Sequence, residues 1–339
     1  MTSEAQRFWQ RFRQHQLGFY SLNIFAVLML ICLFANVIAN DKPLFVRYEG
    51  QWFVPVLKDY PETTFGGVFE TTAEYQDPAL QDLIMERGHM LWPLIRYSAK
   101  TPNLSLDIPF PSAPTRQNWL GTDDQGRDVL ARLLYGLRVS MFFALSLTFF
   151  SAVIGFIWGA VQGYYGGWID LIGQRILEVW GGLPMLFLVM ILVSLFTPNV
   201  YWLFVIMLLF AWPALVNIVR LEYLRARKME YVLAAKAIGC SDAAIMLRHI
   251  FPNVIHSSLS QLPLMLMANL TALTALDFLG YGLGAEAASM GELLLQAKNH
   301  LDAPWLVWTA MLSLAVILIL LVFIGEALRD SLTPQDKQL

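Results

Sequence analysis

The chain has 339 residues and a formal net charge of −3, with 57% hydrophobic and only 14% charged residues. A soluble domain usually carries about 25% charged residues, so this composition excludes an ordinary soluble protein and points to a membrane. No nucleic-acid partner is expected.

Residues 1–20 form a basic, aromatic tail with Arg7, Phe8, Trp9, Arg11, Phe12 and Arg13. It fits an interfacial helix beside anionic headgroups, or a topology signal and nothing more. Five runs lack Asp, Glu, Lys and Arg: 14–40, 139–169, 179–219, 249–276 and 303–325. A central charge costs about 2.5–3.5 kcal/mol on insertion scales, and a crossing helix needs about 20 residues. The third run is long enough for two spans, broken at Thr197-Pro198-Asn199. The expectation is an all-α membrane protein with six transmembrane helices near 21–39, 139–161, 172–195, 201–220, 254–275 and 305–325. The first apolar stretch is too long for the 7–15-residue core of a signal peptide, which favours an uncleaved anchor.

Lys and Arg set the orientation. Arg7, Arg11 and Arg13 precede the first span, and Arg220, Arg225, Arg227, Lys228, Lys236 and Arg248 crowd the segment 220–250. The positive-inside rule makes both cytoplasmic, so both termini lie inside, with a tail at 327–339, and residues 40–137 form a large periplasmic insert. Nine of the sixteen prolines fall between Pro43 and Pro114. A loop this long without structure would be unusual, so short strands and a helix over Ala79–Met90 are expected there. The insert either covers the transport mouth as a lid or meets a solute-binding protein. Cys32 and Cys240 fall in different compartments, and no disulfide is expected.

The segment 118–136 follows. Thr122 and Gln125 have capping-box spacing, Asp123 and Asp124 suit a helix N-terminus, and Val129, Leu130, Leu133 and Leu134 form an apolar stripe. Asp123, Asp124 and Asp128 lack the spacing and final Glu of a calcium loop. Glycines in Gly163-Tyr-Tyr-Gly-Gly-Trp-Ile-Asp170 allow a tight reversal. Pro184 and Pro213 should kink their spans. Arg175 and Glu178 can pair at i, i+3.

Between the fourth and fifth spans lies the long polar passage Met229–Asn253. Tyr231, Ala234, Ala235 and Ile238 share one helical face. Gly239 can take the left-handed conformation that ends a helix, and Ser241 or Asp242 can cap the next, which carries Ile245, Met246 and Ile250. In the fifth span, Thr271 and Thr274 suit helix-to-helix bonding, while Asn269 and Asp277 are the better candidates for a translocation path.

Four stretches carry a resemblance. Gly121-Thr-Asp-Asp-Gln-Gly-Arg-Asp-Val-Leu-Ala-Arg132 resembles the segment before the second span of peptide-type ABC importer permeases. Ala234, Ala235, Gly239 and Pro252 match the spacing of that family's EAA loop, with Leu233, His249 and Phe251 departing from it. Phe278-Leu-Gly-Tyr-Gly-Leu-Gly284 and the tail Gly325–Pro334 resemble the family's closing segments. The resemblance runs from about 119 to 334, plus the first span. The enlarged 41–118 region resembles the Yej-type branch, which imports peptides and microcin C.

The resemblance implies type I importer architecture, a five-helix permease core over 138–326, and the role of second permease subunit in a bacterial inner membrane. It places ATPase coupling in a cytoplasmic loop, 221–253, on Glu230, Ala234, Ala235, Gly239, Ser241, Asp242 and Pro252. It implies a sister permease, two ATPase subunits and a periplasmic binding protein carrying peptide. The chain has no Gly-x-x-x-x-Gly-Lys-Ser/Thr loop, so no cofactor is expected in it; ATP and Mg would sit on the partners. The alternatives are an ion-coupled carrier, a permease for nickel or another small solute, and a membrane enzyme. A carrier should show mid-span acids or histidines. A membrane enzyme needs a clustered set, and His15, His89, His249, His256 and His300 are scattered.

Overall fold

The computed structural model describes residues 4–104, 106, 108–195, 199–284 and 286–332. The helices are α1 (Glu4–Gln14), α2 (Gln16–Leu33), α3 (Pro78–Arg87), α4 (Val129–Tyr165), α5 (Gly167–Gly181) and α6 (Met185–Ser194). They continue as α7 (Val200–Ala226), α8 (Glu230–Ala237), α9 (Asp242–Leu259), α10 (Leu262–Phe278), α11 (Met290–Asn299) and α12 (Pro304–Leu332). By length and apolarity α2, α4, α7 and α12 can each cross a membrane; the count reaches six if the bent pairs α5–α6 (74°) and α9–α10 (52°) are one span each.

Prolines explain the breaks, and not always where expected. Pro184 stands at the α5–α6 bend. Pro213 does not split α7. It removes the N–H that Leu209 would receive, and the Trp180 indole donates to that carbonyl instead, at 2.8 Å. The fifth span, expected unbroken, bends at Ser260–Gln261 because Pro263 leaves the Leu259 carbonyl without its i+4 donor. The expected break at Thr197-Pro198 lies outside the described residues.

The chain divides into two units. The first comprises Met1–Ala26, Met141–Leu283 and Ala315–Leu339. Its central contact joins α4 to α7. Gly155, Gly159 and Gly163 stand one turn apart on α4, against the carbonyls of Trp212, Val216 and Arg220, also one turn apart. A Cβ on any of these glycines would collide with backbone. Small residues at this spacing let two membrane helices touch along their main chains, where apolar burial alone supplies no drive. The turn from α4 to α5 needs positive φ at Gly166 and Gly167, +65° and +56°. Arg220 then pairs with Asp170 across that turn.

The second unit comprises Val27–Ser140 and Gly284–Leu314. It holds a three-stranded antiparallel sheet ordered β2 (Gln51–Phe53), β1 (Phe45–Tyr48), β3 (Gly88–Leu91). Glu49 and Gly50 both have positive φ, the geometry of a two-residue hairpin. Asp77 caps α3 by accepting from Ala79 N–H. The helix stops at Arg87 rather than continuing to Met90. Gly88 lies so close to the Arg47 carbonyl that only a glycine fits, and Gly88–Met90 pair with β1 as a strand. Phe65 fills the centre, edge-on to Tyr48, Phe53, Tyr60 and Tyr75 with ring centroids 5.3–6.2 Å apart.

Candidate functional site

The passage 229–253 forms two helices around a left-handed break. Gly239 has φ +86°. Its N–H reaches the Lys236 carbonyl and the Cys240 N–H reaches that of Ala235, both at 3.1 Å. This pair of bonds closes the end of α8 without outside help. Of the two expected caps, Ser241 serves: its hydroxyl accepts from Ala244 N–H at 3.3 Å. Asp242 instead accepts from the Tyr164 hydroxyl at 2.6 Å, tying α9 to the end of α4. Glu230 stands in the first turn of α8.

The expected small face needs correcting. Ala235 points inward with Val232 and packs with Leu215, Val219, Tyr223, Ile245 and Ile250. Ala234 is exposed with Tyr231, Leu233 and Ile238, the last 82% exposed. Positions 232 and 235 are three residues apart, nearly one helical turn, so they share the buried stripe. Residues 231, 234 and 238 form the outer one.

Within α9, residues Ile245–Ile250 form a π turn, in which Phe251 N–H bonds Met246 carbonyl. Pro252 follows immediately and cannot donate to Arg248. The Tyr223 hydroxyl also donates to the Met246 carbonyl, at 3.2 Å. Such bulges recur at functional sites. Neither the bulge nor Tyr164 and Tyr223 had a local sequence signal beyond Pro252 itself.

The two span residues proposed for a path sit inside the protein. Asn269 is buried and donates to Thr148 of α4 at 3.0 Å. Asp277 is buried at the end of α10, where it accepts from Leu283 N–H at 2.6 Å and holds the glycine loop. Thr271 and Thr274 bond carbonyls four residues back on their own helix, not another helix.

The segment 118–132 also differs from expectation. The helix begins at Val129, and Asp128 caps it by accepting from Ala131 N–H at 2.7 Å. Thr122 does not cap; its hydroxyl is bonded to Ser112. Asp123 enters a buried ionic network. It accepts from Arg127 Nε at 2.6 Å and lies 3.3 Å from Arg132 Nε. Arg132, fully buried, pairs with Glu292 of α11 and donates to the Ala99 carbonyl at 3.0 Å. Gln296 donates to Glu292 at 2.5 Å. Burial pushes the Glu292 carboxyl above its ordinary range, against the pull of Arg132 and Arg127. Burial likewise raises Asp128, opposed by the Ala131 N–H and the Asn118 amide. Among the described residues no group of three or more His, Cys, Asp or Glu could hold a metal ion.

Residues 151–335 match the family model described as binding-protein-dependent transport system inner membrane component. Residues 3–55 match the N-terminal TM domain of oligopeptide transport permease C. The inner membrane ABC transporter permease protein YejE of Escherichia coli K12 is 53% identical over 326 residues, covering 96% of each chain. The peptidoglycan transport system permease protein YejE of Agrobacterium fabrum is 43% identical, over 98% of this chain and 93% of that one. The oligopeptide transport system permease protein OppC of Haemophilus influenzae is 36% identical over 67% of this chain and 74% of its own.

Proposed function

The chain belongs to the peptide ABC transporter permease family of inner-membrane transport components, and from that premise we propose that it forms half of a translocation path for peptides. The path is completed by a sister permease, fed by a periplasmic binding protein and driven by two ATPase subunits that bind ATP and Mg. The observation that carries the coupling is the outward stripe Tyr231, Ala234 and Ile238, held on a helix whose inner stripe is part of the chain's own core. Glu230, Gly239, Ser241, Asp242 and Pro252 set its ends and angle; Ala235 supports it from inside. Ile238→Asp places a charge at the partner contact without touching that core. The expected outcome is a chain that inserts and folds but no longer co-purifies with the ATPase subunits. Normal assembly and ATPase stimulation by loaded binding protein would sink the assignment.

In this reading the bent pairs are single spans, giving six. Residues 41–137 are periplasmic, 221–253 cytoplasmic, and both termini are inside. A membrane-impermeant thiol reagent should label a cysteine placed at Gln76 in intact cells and leave Cys240 untouched; labelling of Cys240 would reverse the orientation. The similarity to oligopeptide permeases supports peptides as cargo; microcin C among them rests on the sequence resemblance to the Yej-type branch. The Agrobacterium fabrum relative is named for peptidoglycan transport, which makes peptidoglycan-derived solute a second cargo. Mass spectrometry of the ligand carried by the binding protein separates the two. Asn269 and Asp277 are assigned to shaping the path from behind, through Thr148 and the glycine loop.

A further inference from the structure

The first unit contains a cavity of about 780 Å³ walled by α2, α4, α7, α9, α10 and α12. Side chains such as Leu22, Phe149, Phe156, Leu247, Phe251 and Leu266 line it. Three lining residues carry hydroxyls, Thr148, Tyr223 and Ser258, and each hydroxyl already donates within the protein: to Ala144 at 2.7 Å, to Met246 at 3.2 Å and to Val254 at 3.2 Å. Thr148 also accepts from Asn269.

This chemistry selects the occupant. A peptide brings an N–H and a carbonyl with every residue, and burying them unmatched opposes entry. Water needs two to four polar partners, and these three hydroxyls, their protons already donated, offer it only acceptor lone pairs. Several lining residues, Phe149, Ile157 and Leu247 among them, are more than half exposed, so the cavity opens at the protein surface within reach of bilayer chains. A hydrocarbon has no polar group to satisfy, and an apolar hole of about 150 Å³ already accepts a benzene ring. We propose that the cavity holds an acyl chain of a membrane phospholipid and is distinct from the peptide path. The proposal goes beyond the transport reading and requires of it only that the chain is membrane-embedded. In the wall, Met246 lies within the π turn and Phe251 closes it, and Leu262 and Pro263 lie at the α9–α10 bend. A seated chain therefore braces both.

The test uses the assembled complex in vesicles of phosphatidylethanolamine carrying a diazirine midway along one acyl chain. Photolysis should place adducts on 148–157 and 255–266. Adducts confined to outward positions such as Ile24 and Val27 would overturn the proposal. So would labelling of the cavity by a photoreactive peptide, or a disulfide from Val153→Cys to the sister permease. Ala152→Phe fills the space and should lower the cavity adducts at least fivefold; unchanged adducts also overturn it. Should that variant fail to assemble, the adduct map of the parent decides alone. Peptide uptake by the parent is measured separately, so failure of the transport reading is told apart from failure of this one.

Discussion

The α4–α7 seam and the ionic network at the head of α4 solve the same problem with opposite chemistry. Along the seam, three glycines lie on three carbonyls and no side chain intervenes. In the network, two arginines, two carboxylates and an amide, all buried, join segments 160 residues apart. A helix in hydrocarbon gains little from burying apolar surface against another helix, so close backbone contact does the work. Outside the spans, charges can be buried if each finds a partner. The seam therefore tolerates no added volume, and the network tolerates no lost partner.

The largest effect should come from unpairing the network. Arg132→Met takes from buried Glu292 its hydrogen-bonded arginine and leaves it the more distant Arg127, at 3.6 Å; breaking a buried pair costs about 3–5 kcal/mol. Folded yield and thermal midpoint should fall sharply, and the double variant Arg132→Met/Glu292→Leu should recover much of the loss. A double variant as poor as the single would mean that the network does more than neutralise charge. Next comes the seam. Gly159→Leu forces α4 and α7 apart, an overpacking cost of about 1–3 kcal/mol. Cysteine cross-linking between the two helices should drop, with Gly159→Ala intermediate. Equal cross-linking in all three proteins would refute backbone contact.

A smaller effect concerns pH. An acid whose folded pKa lies above its unfolded one holds more protons in the native state between the two values, so stability falls as pH rises through that interval. For Glu292 the interval runs upward from the ordinary glutamate value, because burial raises its carboxyl. Glu292→Gln cannot titrate and should flatten that part of the stability profile; an unchanged slope assigns the titration elsewhere. Smallest of all is Arg175→Ala. The Arg175–Glu178 pair is well exposed at 2.5 Å, and exposed pairs contribute below about 1 kcal/mol. A thermal midpoint shifted as far as by Gly159→Leu would show that surface charge matters as much here as packing.

How much of this was legible in the sequence depended on range. The charge-free runs located every long apolar helix, because a charge is excluded residue by residue. Gly239 and Ser241 were readable because their bonds close within five residues. Thr122 misled: its spacing to Gln125 suits a cap, yet Ser112 takes its hydroxyl and Asp128 caps the helix. Ala235 misled because adjacent alanines on a short helix can straddle the boundary between inner and outer stripes. Arg132 closes a recognisable motif, yet its pairing with Glu292 gave no signal, since nothing local relates two residues 160 positions apart. The bend at Pro263 was missed because an uninterrupted apolar run hides a missing N–H.

The self-closed end of α8 has a consequence for how such a chain can change over time. Gly239 and Cys240 satisfy the carbonyls of Lys236 and Ala235 from within the segment, and on α8 itself Val232 and Ala235 are the residues buried in the core. Tyr231, Leu233, Ala234 and Ile238 are left without structural duty to their own chain. Their identities can drift in step with a partner surface while the fold stays unaltered. In the coupling role proposed above, the segment is an exchangeable plug, its socket fixed by two inward residues and a glycine, its pins free to be rewritten.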